Sequence, residues 1–100
     1  MSNELQRLQE WYVSQCDGDW EHTYGVTIET LDNPGWSLRI ELADTDLETA
    51  AFLEISIERS DADWVHCKVE SFVFHGHGGA ENLNELLGIF LDWAKNEGTK

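Results

Sequence analysis

The sequence predicts an α+β domain, an antiparallel meander of four to five strands packed against an N-terminal and a C-terminal helix as a two-layer sandwich. Three features predict it. Apolar residues recur at helical spacing near both ends of the chain and at every second position between them. Turn residues separate the alternating runs so tightly that neighbouring strands must run antiparallel. Both amphipathic helices also need a sheet face to cover their stripes.

The first helix starts at a cap, Ser2 or Asn3, and carries Leu5, Leu8, Tyr12 and Cys16 on one stripe with Trp11 at its edge. It stops at Cys16-Asp17-Gly18-Asp19, where Asp and Gly favour a turn. From Tyr24 the period changes to two, with Tyr24, Val26 and Ile28 alternating with Gly25, Thr27 and Glu29. Asp32-Asn33-Pro34-Gly35 reads as a tight turn, Pro preset for its second position and Gly for a positive φ. Trp36, Leu38, Ile40 and Leu42 then share one face of the next strand, completing a hairpin.

Residues 43–51 form an acidic connection with room for a helical turn. A third strand over 52–59 turns Leu53, Ile55 and Ile57 inward, and a fourth over 64–70 does the same with Val65, Cys67 and Val69. Phe72-Val73-Phe74 offers a short fifth strand, which Gly76, Gly78 and Gly79 end as a flexible turn. The last helix is the clearest element. Asn82 with Glu85 three residues on makes a capping-box pattern, followed by the broad stripe Leu83, Leu86, Leu87, Phe90 and Ala94. One domain over residues 1–100 follows, with no linker and no repeat.

Twenty Asp and Glu against six Lys and Arg leave a net charge of −14. That balance argues against nucleic acid and anionic membrane as partners, since both are bound through Lys and Arg. Five Trp and 41% apolar residues separate the chain from disordered acidic tails. The N-terminus shows no basic patch followed by an apolar stretch, so no signal peptide is expected, and two distant cysteines read as reduced cytosolic thiols.

No chemistry-bearing motif stands out. Cys16, Asp17, Asp19 and His22 crowd together, and His75 and His77 flank Gly76, but neither group has zinc spacing. Asp17, Asp19 and Glu21 begin a calcium-loop series that fails at its twelfth position, Ile28. No metal and no cofactor is therefore expected. Cys16 sits among acids, which disfavour a thiolate, and Cys67 falls on an apolar strand face. Trp36 and Trp93 read as core. Trp64 lies opposite Val65, Cys67 and Val69, either as cross-strand packing or as an exposed anchor. Trp20, set among acids, fits an interface hot spot or a structural pin.

The run from Trp11-Tyr12 to Trp36, WYVSQCDGDWEHTYGVTIETLDNPGW, resembles the signature of the immunity protein 53 family of bacterial polymorphic toxin systems. The resemblance continues through Asp63-Trp64 and His66-Cys67 to Asn82-Leu83 and Ile89-Phe90-Leu91-Asp92-Trp93-Ala94, nearly the whole chain. It implies a small cytoplasmic antidote that binds and neutralises a cognate toxin domain and is not an enzyme. Some relatives carry a rhodanese-like sulfurtransferase label, yet no Cys here heads a Gly- and Arg-rich anion loop.

The charge then suggests a basic toxin, such as a nuclease, met by acids on loops and an exposed sheet face. One candidate group is Asp17, Asp19, Trp20 and Glu21. The other is Asp44, Asp46, Glu48, Glu54, Glu58, Asp61, Asp63 and Trp64. Arg39, Glu54, Glu58, Trp64, His66 and Lys68 mark the uncovered face. The competing readings are a small enzyme using a cysteine or histidine site, and an acidic adaptor for another basic protein.

Overall fold

The computed structural model describes residues 3–98, so Ser2 as a cap lies outside the described residues. In chain order the elements are α1 (Glu4–Gln15), α2 (Trp20–Thr23), β1 (Val26–Leu31), β2 (Gly35–Glu41), β3 (Ile55–Glu58), β4 (Trp64–Glu70), β5 (Val73–Gly78) and α3 (Leu83–Gly98). The class is as predicted: a five-stranded antiparallel sheet with an N-terminal and a C-terminal helix. The strand order is β1-β2-β5-β4-β3, so the meander is broken once. The connection 42–54 leaves β2, next to one edge, and reaches the far edge, and β3, β4 and β5 then fold back until β5 pairs with β2. Among the described residues no helix is long and apolar enough to cross a membrane.

That long connection is tied down by its own apolar residues. Leu42 and Leu47 are fully buried, and Phe52 packs edge-on against Phe74 and Trp93. Trp93 Nε1 donates to Ala51 O at 2.8 Å, which fixes the end of the crossover to α3. Because Phe52 takes the inward place, Leu53 is turned out, 89% exposed, and Ile57 is also exposed. The expected inward series of the third strand therefore holds only at Ile55, because an edge strand of four residues lies at the margin of the helix layer.

Helix α1 is capped by Asn3, whose Oδ1 accepts from Gln6 N at 3.0 Å. Its buried stripe is Glu4, Leu8 and Trp11, one position round from the predicted one, leaving Leu5 and Tyr12 exposed. Trp11 decides the rotation, since its large ring packs edge-on against Phe90 at 5.0 Å and Trp20 at 6.0 Å. Buried Glu4 accepts from Arg7, which also reaches Asp92 of α3 at 3.1 Å. At the start of α3, Asn82 does not complete a capping box. Its Nδ2 donates to Asp63 and Glu85, while its Oδ1 is buried without a hydrogen-bond partner. Arg59 bridges the same two carboxylates and ties the β3–β4 turn to the helix.

The core lies between sheet and helices: Leu38, Ile40, Val65, Cys67 and Phe74 face Leu86, Leu87, Phe90, Leu91 and Ala94. Strand β5 runs to Gly78, longer than predicted, and Gly76–Gly79 is not a flexible turn. The alternation His75-Gly76-His77-Gly78 is strand periodicity, with both glycines buried under α3. A Cβ at Gly76 would sit 3.3 Å from Leu86, and one at Gly78 would sit 3.1 Å from Asn82 Cβ, so the bare strand lets the helix close in.

Two of the three hairpin turns depart from expectation. The Asn33–Pro34 peptide is cis, and Gly35 does not have a positive φ; it is glycine because a Cβ there would collide with the Gly78 carbonyl oxygen. The β4–β5 turn has Ser71 at φ 55° and Phe72 at φ 63°, the positive values a two-residue type I′ turn requires. Left-handed backbone costs a non-glycine residue about 1–2 kcal/mol.

Two stability outcomes follow. Gly35→Ala should destabilise by about 1–3 kcal/mol, the usual range for overpacking, read by chemical denaturation. Ser71→Asn with Phe72→Gly should stabilise by about 1 kcal/mol, because Asn-Gly suits this turn and the added backbone entropy of Gly offsets part of the gain. A fall in the unfolding midpoint of the double variant would show that the Phe72 ring holds the turn in place.

Candidate functional site

The first acidic loop organises itself. Asp17 Oδ1 accepts from Asp19 N at 2.9 Å and Trp20 N at 3.0 Å, while the Glu21 carboxylate accepts from Asp17 N and Gly18 N. The Trp20 amide, then that of Asp19, holds the Asp17 carboxyl below its ordinary range. Glu21 is lowered similarly by backbone N–H groups, its own first. Trp20 is 4% exposed and its Nε1 donates to Ala43 O at 3.0 Å. It pins the loop to the start of the crossover. Of the two sequence readings of Trp20, the structural pin is the one observed.

Glu48 is used locally as well, its Oε1 accepting from Asp44 N at 2.9 Å. Asp44 itself comes beside Asp17 and Asp19, and these three line a shallow cleft of about 310 Å³ with Trp20, Thr23 and Tyr24. Asp46 lies elsewhere, in the groove between α1 and α3 with Arg7 and Glu10.

The other candidates gather at the opposite edge of the sheet. Asp63 is held below its ordinary range by Asn82 first and Arg59 second, as part of the turn-to-helix clamp. Glu58 Oε2 lies 3.0 Å from His66 Nε2. Trp64 is half-buried with its ring 5.2 Å from that of His66. Glu58, Asp61 and Trp64 line a depression of about 440 Å³ with Leu31, Ser60, His66 and His77. A neighbouring hollow of about 270 Å³ is bounded by Glu54, Ser56, His66, Lys68, His75 and His77. The two hollows share His66 and His77, so they form one continuous feature on the face that no helix covers.

Register explains the composition of that face. Ser37, His77, His66 and Ser56 align across β2, β5, β4 and β3, and Arg39, His75 and Lys68 align in the next outward row. The outward positions Arg39, Glu54, Glu58, Trp64, His66 and Lys68 follow the sequence reading. His75 and His77 were not placed there by it, because the glycines between them read as a turn. The signal that could have placed them is the strict Gly-His alternation after Phe74.

Partial burial pushes the His75 imidazole down, and Arg39 and Lys68 push it further; Glu70 and its own backbone oppose them. His77 is lowered by partial burial, then by His75, His66 and Lys68. Among the described residues no three His, Cys, Asp or Glu side chains are arranged to hold a metal ion. Burial drives the Cys67 thiol up to about 12, the reverse of what thiolate chemistry needs.

These depressed histidines set a pH dependence. Protonation favours the unfolded chain, whose imidazoles keep their ordinary value, so the contribution of His75 and His77 is full above it and lost as pH falls through the folded values. The thermal midpoint should therefore fall between roughly pH 7 and pH 5.5. His75→Gln with His77→Gln should flatten that slope, and an unchanged slope would place its origin in other groups.

No curated protein and no solved structure matches the chain. A family model described as immunity protein 53 matches residues 5–95, from the first turn of α1 to the last turns of α3, and so takes in both acidic loops and the whole open face. The chain belongs to the immunity protein 53 family.

Proposed function

We propose that this immunity protein acts in the cytoplasm of the cell that makes it, binding a basic toxin domain of the kind that attacks nucleic acid. The observation that carries the reading is a net charge of −14 on a folded domain whose carboxylates stand mainly on loops and outward strand positions. A toxin that grips phosphates must present Lys and Arg, and an acidic antidote is drawn to that surface and covers it.

Asp19 and Asp44 at one end, and Glu54 and Asp61 at the other, are exposed to such a partner, with Trp64 as an aromatic contact, while Asp17 and Glu58 add to the field from their contacts with backbone N–H groups and with His66. Glu21, Glu48 and Asp63 add to the field while their oxygens hold local structure. Asp46 contributes from the α1–α3 groove.

Co-expression with the toxin domain encoded beside this gene should restore growth of a cell the toxin otherwise arrests. With the purified pair, the association rate should fall by about tenfold or more between low and physiological ionic strength. A rate indifferent to salt would sink the steering idea. Glu54→Lys with Asp61→Lys should slow association more than it speeds dissociation, as measured by stopped-flow mixing.

A further inference from the structure

The open face sets cations and imidazoles at its centre, inside a border of carboxylates that includes Glu29, Glu41, Glu54, Glu58 and Glu70. Arg39, Lys68, His66, His75 and His77 stand on the three adjacent strands β2, β5 and β4. Elsewhere two arginines are held by the fold: Arg7 is shared by Glu4 and Asp92, and Arg59 by Asp63 and Glu85. Arg39 makes no ion pair among the described residues, and Lys68 meets only Glu70, at 3.1 Å on the solvent side of its own strand. Arg39 and Lys68 both stand opposite His75, on the strands either side of it, so neither faces a carboxylate across the sheet. Folding alone gives no reason for this row, in a chain with fourteen negative charges to spare for pairing it.

We propose that the row Arg39–His75–Lys68 receives a carboxylate side chain presented by the toxin domain, which docks on the open sheet face. This rests on the toxin-binding reading and names the surface and the chemistry of contact. The guanidinium of Arg39 offers a planar fork that matches a carboxylate bidentately, and the Lys68 ammonium stands across the row as a point charge. His75 between them, and His77 and His66 in the next row, present ring nitrogens that can donate to the same group.

The hollow beside the row, about 270 Å³, has the scale of one inserted side chain rather than a cofactor. Glu54 lines it, and Glu58 and Glu70 contact its His66 and Lys68, so a carboxylate displaced from the centre meets like charge. That combination admits an acid at one place only, and it fixes the register of the complex. The same acidic border, meanwhile, suits the basic residues that surround such an acid on the toxin.

The test uses the full chain and the toxin domain encoded beside it. Arg39→Ala and Arg39→Ala with Lys68→Ala should each raise the dissociation constant by roughly 30-fold or more, mainly through faster dissociation. The free variants should melt close to the native chain, since Arg39 has no ion pair to lose and an exposed pair such as Lys68–Glu70 contributes little. In the native complex the His75 and His77 ring protons should shift in the NMR spectrum. If the native chain binds and the double variant binds equally tightly, or if the imidazole spectrum is unchanged by the toxin, the docking proposal is overturned while the immunity reading stands. If the native chain neither binds nor protects against that toxin, both fall together.

Discussion

Helix α3 can approach the sheet only where β5 lacks side chains, and that closeness governs the rest of the architecture. Gly76 and Gly78 remove two side chains under Leu86 and Asn82, so the helix settles onto the central strand instead of riding above it. Phe74, one pleat earlier, then fills the space where the helix diverges and meets Phe90 and Phe52. With α3 fixed, Trp11 of α1 packs against Phe90, and the crossover is held through Trp93 to Ala51. The alternation that places glycine inward places histidine outward, so the packing of the core and the composition of the open face come from the same six-residue strand.

The charge balance divides along the same line. Beneath the sheet, carboxylates pair with arginines or accept backbone N–H groups, which lets Glu4 be buried and closes the loop at Asp17 and Glu21. At the loops and sheet edges Asp19, Asp44, Glu54 and Asp61 are exposed. The centre of the open face reverses the sign. A uniformly acidic surface would need only solubility to explain it, but a reversed centre bordered by acids is a pattern with position in it.

How much of this the sequence discloses depends on the range of the interaction. The boundaries of β4 are readable because Val65, Cys67 and Val69 alternate without interruption, and the outward set from Arg39 to Lys68 follows from the same period. The stripe of α1 is displaced because Trp11 outweighs Leu5 and Tyr12 in area, and only the partner rings of Trp20 and Phe90 reveal which way the helix must turn. The placement of β5 between β2 and β4 is not readable from turns at all. Short loops fix β1–β2 and β3–β4–β5 as neighbours, while the long link 42–54 leaves the join between the two groups to be decided by packing. His75 and His77 were hidden by their glycines, which read as turn residues until α3 supplies a reason for them.

Acids at the rim and cations at the centre act over different distances on the proposed reading, and this is why they can coexist. At physiological salt a charge is felt over about 8 Å, so a distant basic surface senses chiefly the sum, which is strongly negative. Approach is therefore governed by the exposed loops. Within contact distance the sum no longer matters and individual positions do: Arg39 and Lys68 meet whatever stands directly above them, and neighbouring acids penalise any misaligned carboxylate. Long-range attraction would by itself bring any basic protein to this one. The cationic centre lets a surface so acidic discriminate between basic partners, because a partner without a carboxylate at the matching place leaves Arg39 desolvated and unpaired.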